Sequence, residues 1–284
     1  MTQPQAVKQD SARSPFAGCA IFIAAFLVMT FLIGFSVLTL FRQFNAISKF
    51  TDDKPVAIEV SPTIGKESEL TNLAERIETF RQQLAGQAET SLALSADDLN
   101  LAIASFEAFK ELRGTFRVLT IEGKTARIAI SFPLNGKPRL TRAGEKSWIT
   151  SDSRYLNGTM VAHPALLKNE VVLSLDTLEV PGKTVAPEFT DQMSPYRITE
   201  RYLSDPVIGP AMAKITRVVI VDGKIVLTRK PGESPANTIT DAQVDSGSSR
   251  LFTTLGIAAV GFLAFAGIIV LIGIRTKART ARNP

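Results

Sequence analysis

The sequence is poor in the residues that most often carry chemistry, since its 284 residues include one cysteine, one histidine and one tryptophan. A single cysteine, Cys19, forms no disulfide within the chain and leaves no CxxC pair or Cys/His set for zinc. HExxH, P-loop, GxGxxG and carboxylate-rich calcium-loop patterns are also missing from the sequence. We therefore expect no cofactor, no metal site and no enzyme activity.

The lone histidine, His163, limits the catalytic arrangements that the composition allows. Its conceivable partners in a Ser/His/Asp arrangement are Ser174 or Ser153 and Asp176 or Asp152. Neither serine stands in a nucleophile-elbow sequence, and His163 followed by proline is typical of a turn. We assign no catalytic residue.

The net charge of +5 comes from the two ends of the chain. Residues 1–51 hold four basic and one acidic residue, and residues 234–284 hold five and two. The middle, 52–233, is nearly balanced, with 23 basic and 24 acidic residues. Nucleic-acid binding needs a concentrated basic face on a folded domain, so we expect no nucleic-acid partner.

Two long runs without charge bracket this middle part, at 16–41 and 251–274. Each exceeds the roughly 20 residues that cross a bilayer as a helix, so both predict transmembrane helices. Small residues recur in both runs, which favours either packing of the two helices on each other or self-association. The membrane bilayer is thus the first expected partner.

The basic residues that follow the second run predict the orientation. Arg275, Lys277, Arg279 and Arg282 lie within ten residues and no acid accompanies them. Basic flanks stay in the cytoplasm, and two spans place both termini on that side. We expect a two-pass protein of the inner (plasma) membrane whose central domain is extracytoplasmic.

These patterns divide the chain into seven predicted parts. They are a cytoplasmic tail (1–15), a transmembrane helix (16–41), a linker (42–65), an extracytoplasmic domain (66–233), a second linker (234–250), a second transmembrane helix (251–274) and a basic cytoplasmic tail (275–284).

Two helices are predicted at the start of the domain. Between Lys66 and Gln87, apolar residues recur every three or four positions, which indicates an amphipathic helix. Its apolar stripe either packs on its own domain or holds a partner helix. The second helix begins at Ser95, where Asp98 completes a capping box, and it is expected to continue to Gly114.

From residue 116 onward the apolar period shortens towards two, which indicates strands. The predicted hairpins are 117–121 with 125–132, 155–162 with 170–180, and 215–221 with 224–229; prolines divide 187–213 into short helices. We predict an α+β fold in which a curved antiparallel sheet of about six strands packs on helices, flanked by two transmembrane helices.

Some of these strands are apolar on both faces, so helices, a second copy or a lipid tail must cover them. We predict an apolar groove between sheet and helix. Its candidate ligand-binding residues are Leu99, Ile103, Phe106, Ile130, Leu173 and Leu175.

The order of parts between residues 92 and 230 resembles two groups of bacterial extracytoplasmic proteins. The segments that carry the resemblance are Leu94-Ser95-Ala96-Asp97-Asp98-Leu99-Asn100 at a helix start, Asp176-Thr177-Leu178-Glu179-Val180-Pro181-Gly182, and the Val221-Asp222-Gly223-Lys224 hairpin turn. They are similar to YpmS-like and LmeA-like proteins, relatives of tubular lipid-binding domains. The resemblance implies a long curved sheet wrapped on a helix with an apolar groove for lipid.

Two functions remain open at this point. One is a non-enzymatic, membrane-tethered domain that binds lipid or another apolar ligand. The other is a structural or interaction protein that self-associates or holds a partner in a cell-envelope assembly.

Overall fold

The computed structural model describes residues 15–141, 149–168 and 170–235. The chain divides into two compact units, residues 1–42 with 249–284, and residues 43–248. The predicted second span, 251–274, and the basic tail with Arg275, Lys277, Arg279 and Arg282 lie outside the described residues.

Helix α1 (Pro15–Phe50) contains the predicted first span. One helix in the described part of the chain, Ala25–Phe50, is long and apolar enough to cross a membrane. The helix continues beyond Phe41, the predicted end of the span, to Phe50, and its residues from 43 onward are part of the second unit. There Ile47 and Phe50 pack on the core, so burial extends the helix beyond the apolar run.

Side chains of the second unit hold the carboxyl end of α1. The guanidinium of Arg154 donates to the carbonyl oxygens of Ser48 and Thr51, at 3.2 and 2.6 Å. Lys183 donates to the Thr51 carbonyl oxygen and pairs with Asp52. The last carbonyl groups of a helix have no partner within it, and here cationic side chains supply the donors.

The other helices among the described residues are shorter than α1. They are α2 (Glu67–Gln83), α3 (Ala96–Ser105), the 3₁₀ helix η1 (Glu107–Leu112), α4 (Pro187–Met193), the 3₁₀ helix η2 (Glu200–Tyr202) and α5 (Ile208–Met212). The amphipathic helix and the proline-divided helices are found where they were predicted. The stripe on α2 is used within the domain, since Leu73, Phe80 and Leu84 are buried there.

Helix α3 begins as predicted but ends early. The Ser95 hydroxyl accepts from the Asp98 amide at 3.1 Å, and the Asp98 carboxylate accepts from the Ser95 amide at 2.9 Å. The predicted run to Gly114 breaks at Phe106, whose backbone is extended. This break turns Phe106 and Phe109 onto each other, with ring centroids 6.5 Å apart.

The α+β class is confirmed, but the single sheet of about six strands is wrong. Strands β2 (Phe116–Glu122), β3 (Thr125–Leu140), β4 (Ile149–Leu167) and β5 (Glu170–Glu179) form one antiparallel sheet in that order; β1 (Thr90–Leu94), β7 (Lys224–Arg229) and β6 (Arg217–Val221) form the other. The unpredicted strand β1 pairs with β7 and draws the last hairpin out of the main sheet. Strand β1 has five residues and ends just before a helix cap, so its alternation of apolar residues is too brief to be recognised in the sequence.

Strands β3 and β4 are longer than predicted. Residues 135–140 of β3 and 149–153 of β4 extend the pairing of these two strands, with Asn135 opposite Ser153 and Leu140 opposite Ile149. His163, expected in a turn, pairs with Ser174 inside the sheet. The turn comes at Lys168, whose φ of 46° is left-handed.

Candidate functional site: an apolar cavity between the two sheets

A cavity of about 480 Å³ lies within the second unit, between its two sheets. Helices α2, α3 and α5 and the 3₁₀ helix η1 complete its walls, and its surface is almost entirely apolar. Close-packed interiors hold few voids larger than a water molecule. This space falls within the range of small-molecule sites, roughly 300–1,000 Å³.

Burial of the lining residues distinguishes the floor of the cavity from its mouth. The floor is formed by β3, where Ala126 and Ile128 are 0% and 2% exposed. At the mouth, Arg81 of α2, Ala108 of η1 and Val207 before α5 are exposed to solvent. The cavity therefore opens between these helices and closes against the four-stranded sheet.

The structure brings four of the six predicted groove residues together. Leu99, Ile103 and Phe106 line the cavity from the helix side, and Leu173 lines it from β5. Ile130 and Leu175 are buried in the adjoining core and lie outside the cavity lining. These two residues lie outside the cavity because other core side chains pack on that part of the sheet.

The second sheet supplies a wall that the sequence analysis missed. Leu92 and Leu94 of β1 and Ile225 and Leu227 of β7 line the cavity. The alternation of Leu92 and Leu94 was the available signal, and it is too short to separate a strand from the approach to a helix cap. Val207, at the mouth, likewise carries no sequence pattern that marks a site.

The charged lining residues have partners outside the cavity. Arg76 donates to both carboxylate oxygens of Asp98, at 3.1 and 3.2 Å. Burial raises the pKa of Asp98, but hydrogen bonds from Arg76 and Ser95 outweigh it and leave the pKa below its usual value. At the mouth, hydrogen bonds from Arg81 and Gln82 hold the pKa of Glu78 at about 2. Asp98 and Arg81, the two charged lining residues, are thus both paired with other side chains. The surface left for a ligand is hydrocarbon.

Tyr202 of η2 lines the cavity and packs on η1. Its ring meets Phe109 edge-on, with centroids 5.4 Å apart. Arg201 beside it forms an ion pair with Glu111 of η1 at 2.5 Å. The Tyr202 hydroxyl is buried and has no hydrogen-bond partner in the described part of the chain, and burial raises its pKa, so it stays protonated.

No family model, curated protein or solved structure matches this chain. The function is therefore inferred from the residues of the site themselves.

The outer face of the main sheet brings together part of the catalytic arrangement that was considered for His163. Its Nδ1 lies 3.2 Å from Oδ1 of Asp176, and Ser174 is its cross-strand neighbour. Both members of the His163–Asp176 pair are more than two-fifths exposed. Among the residues described, no group of three or more His, Cys, Asp or Glu side chains is placed to hold a metal ion.

Proposed function

We propose that this protein is a membrane-tethered extracytoplasmic domain that binds a lipid or another apolar ligand in the cavity between its two sheets. The observation that carries the proposal is the cavity itself, about 480 Å³ with an almost wholly apolar surface. Apolar cavities stay dry and take up apolar molecules instead of water. The pattern of residues therefore favours a hydrocarbon ligand.

One observation on the structure and one expectation from the sequence favour a lipid near a bilayer. Helix α1 includes Ala25–Phe50, which is long and apolar enough to cross a membrane, and the cavity lies in the unit that begins at residue 43. The resemblance of residues 92–230 to tubular lipid-binding relatives points to the same class of ligand. A tether keeps the domain within reach of lipid at all times.

Native mass spectrometry of the full chain, released gently from purified membranes, tests the proposal. We expect the wild-type protein to carry additional mass that matches one lipid or apolar molecule. Replacement of the cavity-lining Ala211 by Phe puts a ring into the cavity, and we expect this variant to lose most of the bound ligand.

The matched control is Ala213→Phe. Ala213 follows α5, is exposed and lies outside the cavity lining, so this variant keeps its ligand. Wild-type protein that emerges free of any bound apolar molecule, and that takes none up when lipid is added, would rule out the proposal.

A further inference from the structure

One wall of the cavity is held differently from the others. Helix α2 is tied to β1 by a hydrogen bond from Arg76 to the Ala93 carbonyl oxygen, and α3 is tied to β2 by Asn100. Residues 201–211, here called the mouth segment, line the cavity with Tyr202, Val207, Ile208 and Ala211. Among the described residues, the backbone hydrogen bonds of this segment join near neighbours in its own sequence. The segment therefore rests on the rest of the domain through side chains alone.

The mouth segment is anchored at its two ends. Before it, Tyr196 exchanges two backbone hydrogen bonds with Leu173 of β5, at 3.0 and 2.7 Å. After it, Met212 and Ile215 are buried in a cluster with Leu166 of β4. A segment that is fixed at both ends, with no backbone bond to another element between them, has the arrangement of a hinged flap.

Internal contacts make the mouth segment stiff. The Asp205 carboxylate accepts from the amides of Val207 and Ile208, both at 2.8 Å. A Cβ atom on Gly209 would lie 2.3 Å from the Leu203 carbonyl oxygen, so only glycine fits this close approach. We therefore expect the segment to move as one body about its anchors.

A single ion pair joins the mouth segment to η1 across the mouth. Nη1 of Arg201 lies 2.5 Å from Oε2 of Glu111, and the two side chains are 40% and 66% exposed. We infer that the mouth segment is a lid, which moves outward to admit and release the apolar ligand and which the Arg201–Glu111 ion pair latches shut. The inference rests on the proposed function, because the lid acts on the same cavity.

Outward movement of the lid breaks few polar contacts. The ion pair is exposed, so water and salt ions replace it readily. The buried Tyr202 hydroxyl has no hydrogen-bond partner in the part of the chain that the structure describes. An unsatisfied buried hydroxyl destabilises the closed position, and water satisfies it when the lid opens. The ring of Phe109, which meets Tyr202 edge-on, is the apolar contact that opening gives up.

Ligand exchange on the full chain in lipid nanodiscs tests the latch. Bound dansyl-labelled undecanoic acid is chased with excess lauric acid, and empty discs give the signal of probe in lipid. We expect Arg201→Met to speed association and dissociation alike by about two- to fivefold, the range for one exposed ion pair, and to leave the affinity unchanged. Both rates rise together because opening precedes both binding and release.

Two further variants complete this test. Exchanging the charges, Arg201→Glu with Glu111→Arg, restores the pair, and we expect it to bring the rates back towards wild type. Arg127→Met is the matched control, since it removes an exposed arginine and its ion pair with Glu179 on the outer face of the main sheet. This variant keeps the wild-type rates.

A cross-link tests the movement itself. Glu111→Cys and Arg201→Cys are combined in a Cys19→Ser background and joined with bismaleimidoethane. We expect the joined protein to exchange the probe at least tenfold more slowly than the same protein before the reaction, because the lid no longer moves away from η1.

The outcomes separate the inference from the proposed function. Equal exchange before and after cross-linking, or equal exchange in wild type and Arg201→Met, overturns the inference while binding stands. Wild-type protein that takes up no probe beyond the empty discs overturns the proposed function itself.

Discussion

Asp98 has three roles: it caps α3, it pairs with Arg76 of α2, and it lines the cavity. Its carboxylate accepts from the Ser95 amide and from the Arg76 guanidinium, and its side chain lines the cavity. A neutral side chain of the same shape keeps the cap but loses the charge that Arg76 pairs with. The cost of such a change depends on pH.

We predict that Asp98→Asn lowers the free energy of unfolding by about 1–2 kcal/mol at pH 7, because a partly buried, charge-assisted hydrogen bond is lost. The pKa of Asp98 is lowered in the folded protein. Its contribution is therefore complete above the unfolded pKa of about 3.9 and disappears as the pH falls through the folded pKa. Denaturant unfolding at pH 7 and pH 3 checks this, since the difference between wild type and variant shrinks at pH 3.

Asp97→Asn is the control for that prediction. Asp97 is exposed beside Asp98 and favours the same helix end, so the substitution changes one charge without breaking the pair with Arg76. A loss of stability as large as that of Asp98→Asn would show that the charge at the helix end matters and the pair does not.

At the scale of elements, the hydrogen bonds from Arg154 attach the end of α1 to the second unit. Arg154→Met removes the donors to the Ser48 and Thr51 carbonyl oxygens. We predict that amide hydrogen exchange in the last turn of α1 becomes at least tenfold faster, while the sheet keeps its protection, because the helix end frays locally. Exchange measured by mass spectrometry on the full chain in nanodiscs checks both parts.

Arg127→Met is the matched control for the helix end. Arg127 is an exposed arginine on β3 that pairs with Glu179 on the outer face of the sheet. Its loss leaves exchange in α1 unchanged. Equal acceleration in both variants would mean that any lost arginine loosens the domain, and that Arg154 has no special part in holding α1.

Helices and hairpins that carry a capping box, a turn motif or a long apolar repeat were predictable from the sequence. The Ser95 capping box and the Asp222-Gly223 hairpin turn rest on local hydrogen bonds and backbone angles that few residues satisfy. The two-sheet arrangement was not predictable, because it depends on Thr90–Leu94 pairing with a strand more than 130 residues later. The spacing of apolar residues within a strand does not reveal which distant strand it will pair with.

Asn100 shows why the candidate site was only partly predicted. Its amide group donates to the Val118 carbonyl oxygen at 2.7 Å and accepts from the Val118 amide at 2.9 Å, which closes the edge of β2 and fixes α3 above it. That contact decides which face of α3 looks into the cavity. The apolar residues Leu99 and Ile103 were recognisable from their spacing, but a buried asparagine carries no periodic signal.

At the scale of the whole molecule, the predicted topology has a direct test. Cysteines replace Lys66 and Arg279 one at a time in a Cys19→Ser background, and intact cells are treated with a membrane-impermeant maleimide. We expect labelling at position 66 and none at 279, because basic flanks stay in the cytoplasm. Permeabilised cells, in which both positions react, give the control, and labelling of position 279 alone in intact cells would reverse the orientation.

Arg154, the β4 residue that binds the end of α1, also bears on how the proposed membrane helix adapts to bilayers of different thickness. A membrane helix whose last carbonyl groups rely on water adapts to a thicker or thinner bilayer by shifting or unwinding that end. Here Arg154 donates to the carbonyl oxygen of Ser48 in the last turn of α1, and both Arg154 and Lys183 donate to that of Thr51 just after the helix. For the proposed membrane span, adaptation is therefore left to tilt or to the amino-terminal end of α1, and we expect the helix to end at the same residue in bilayers of different thickness.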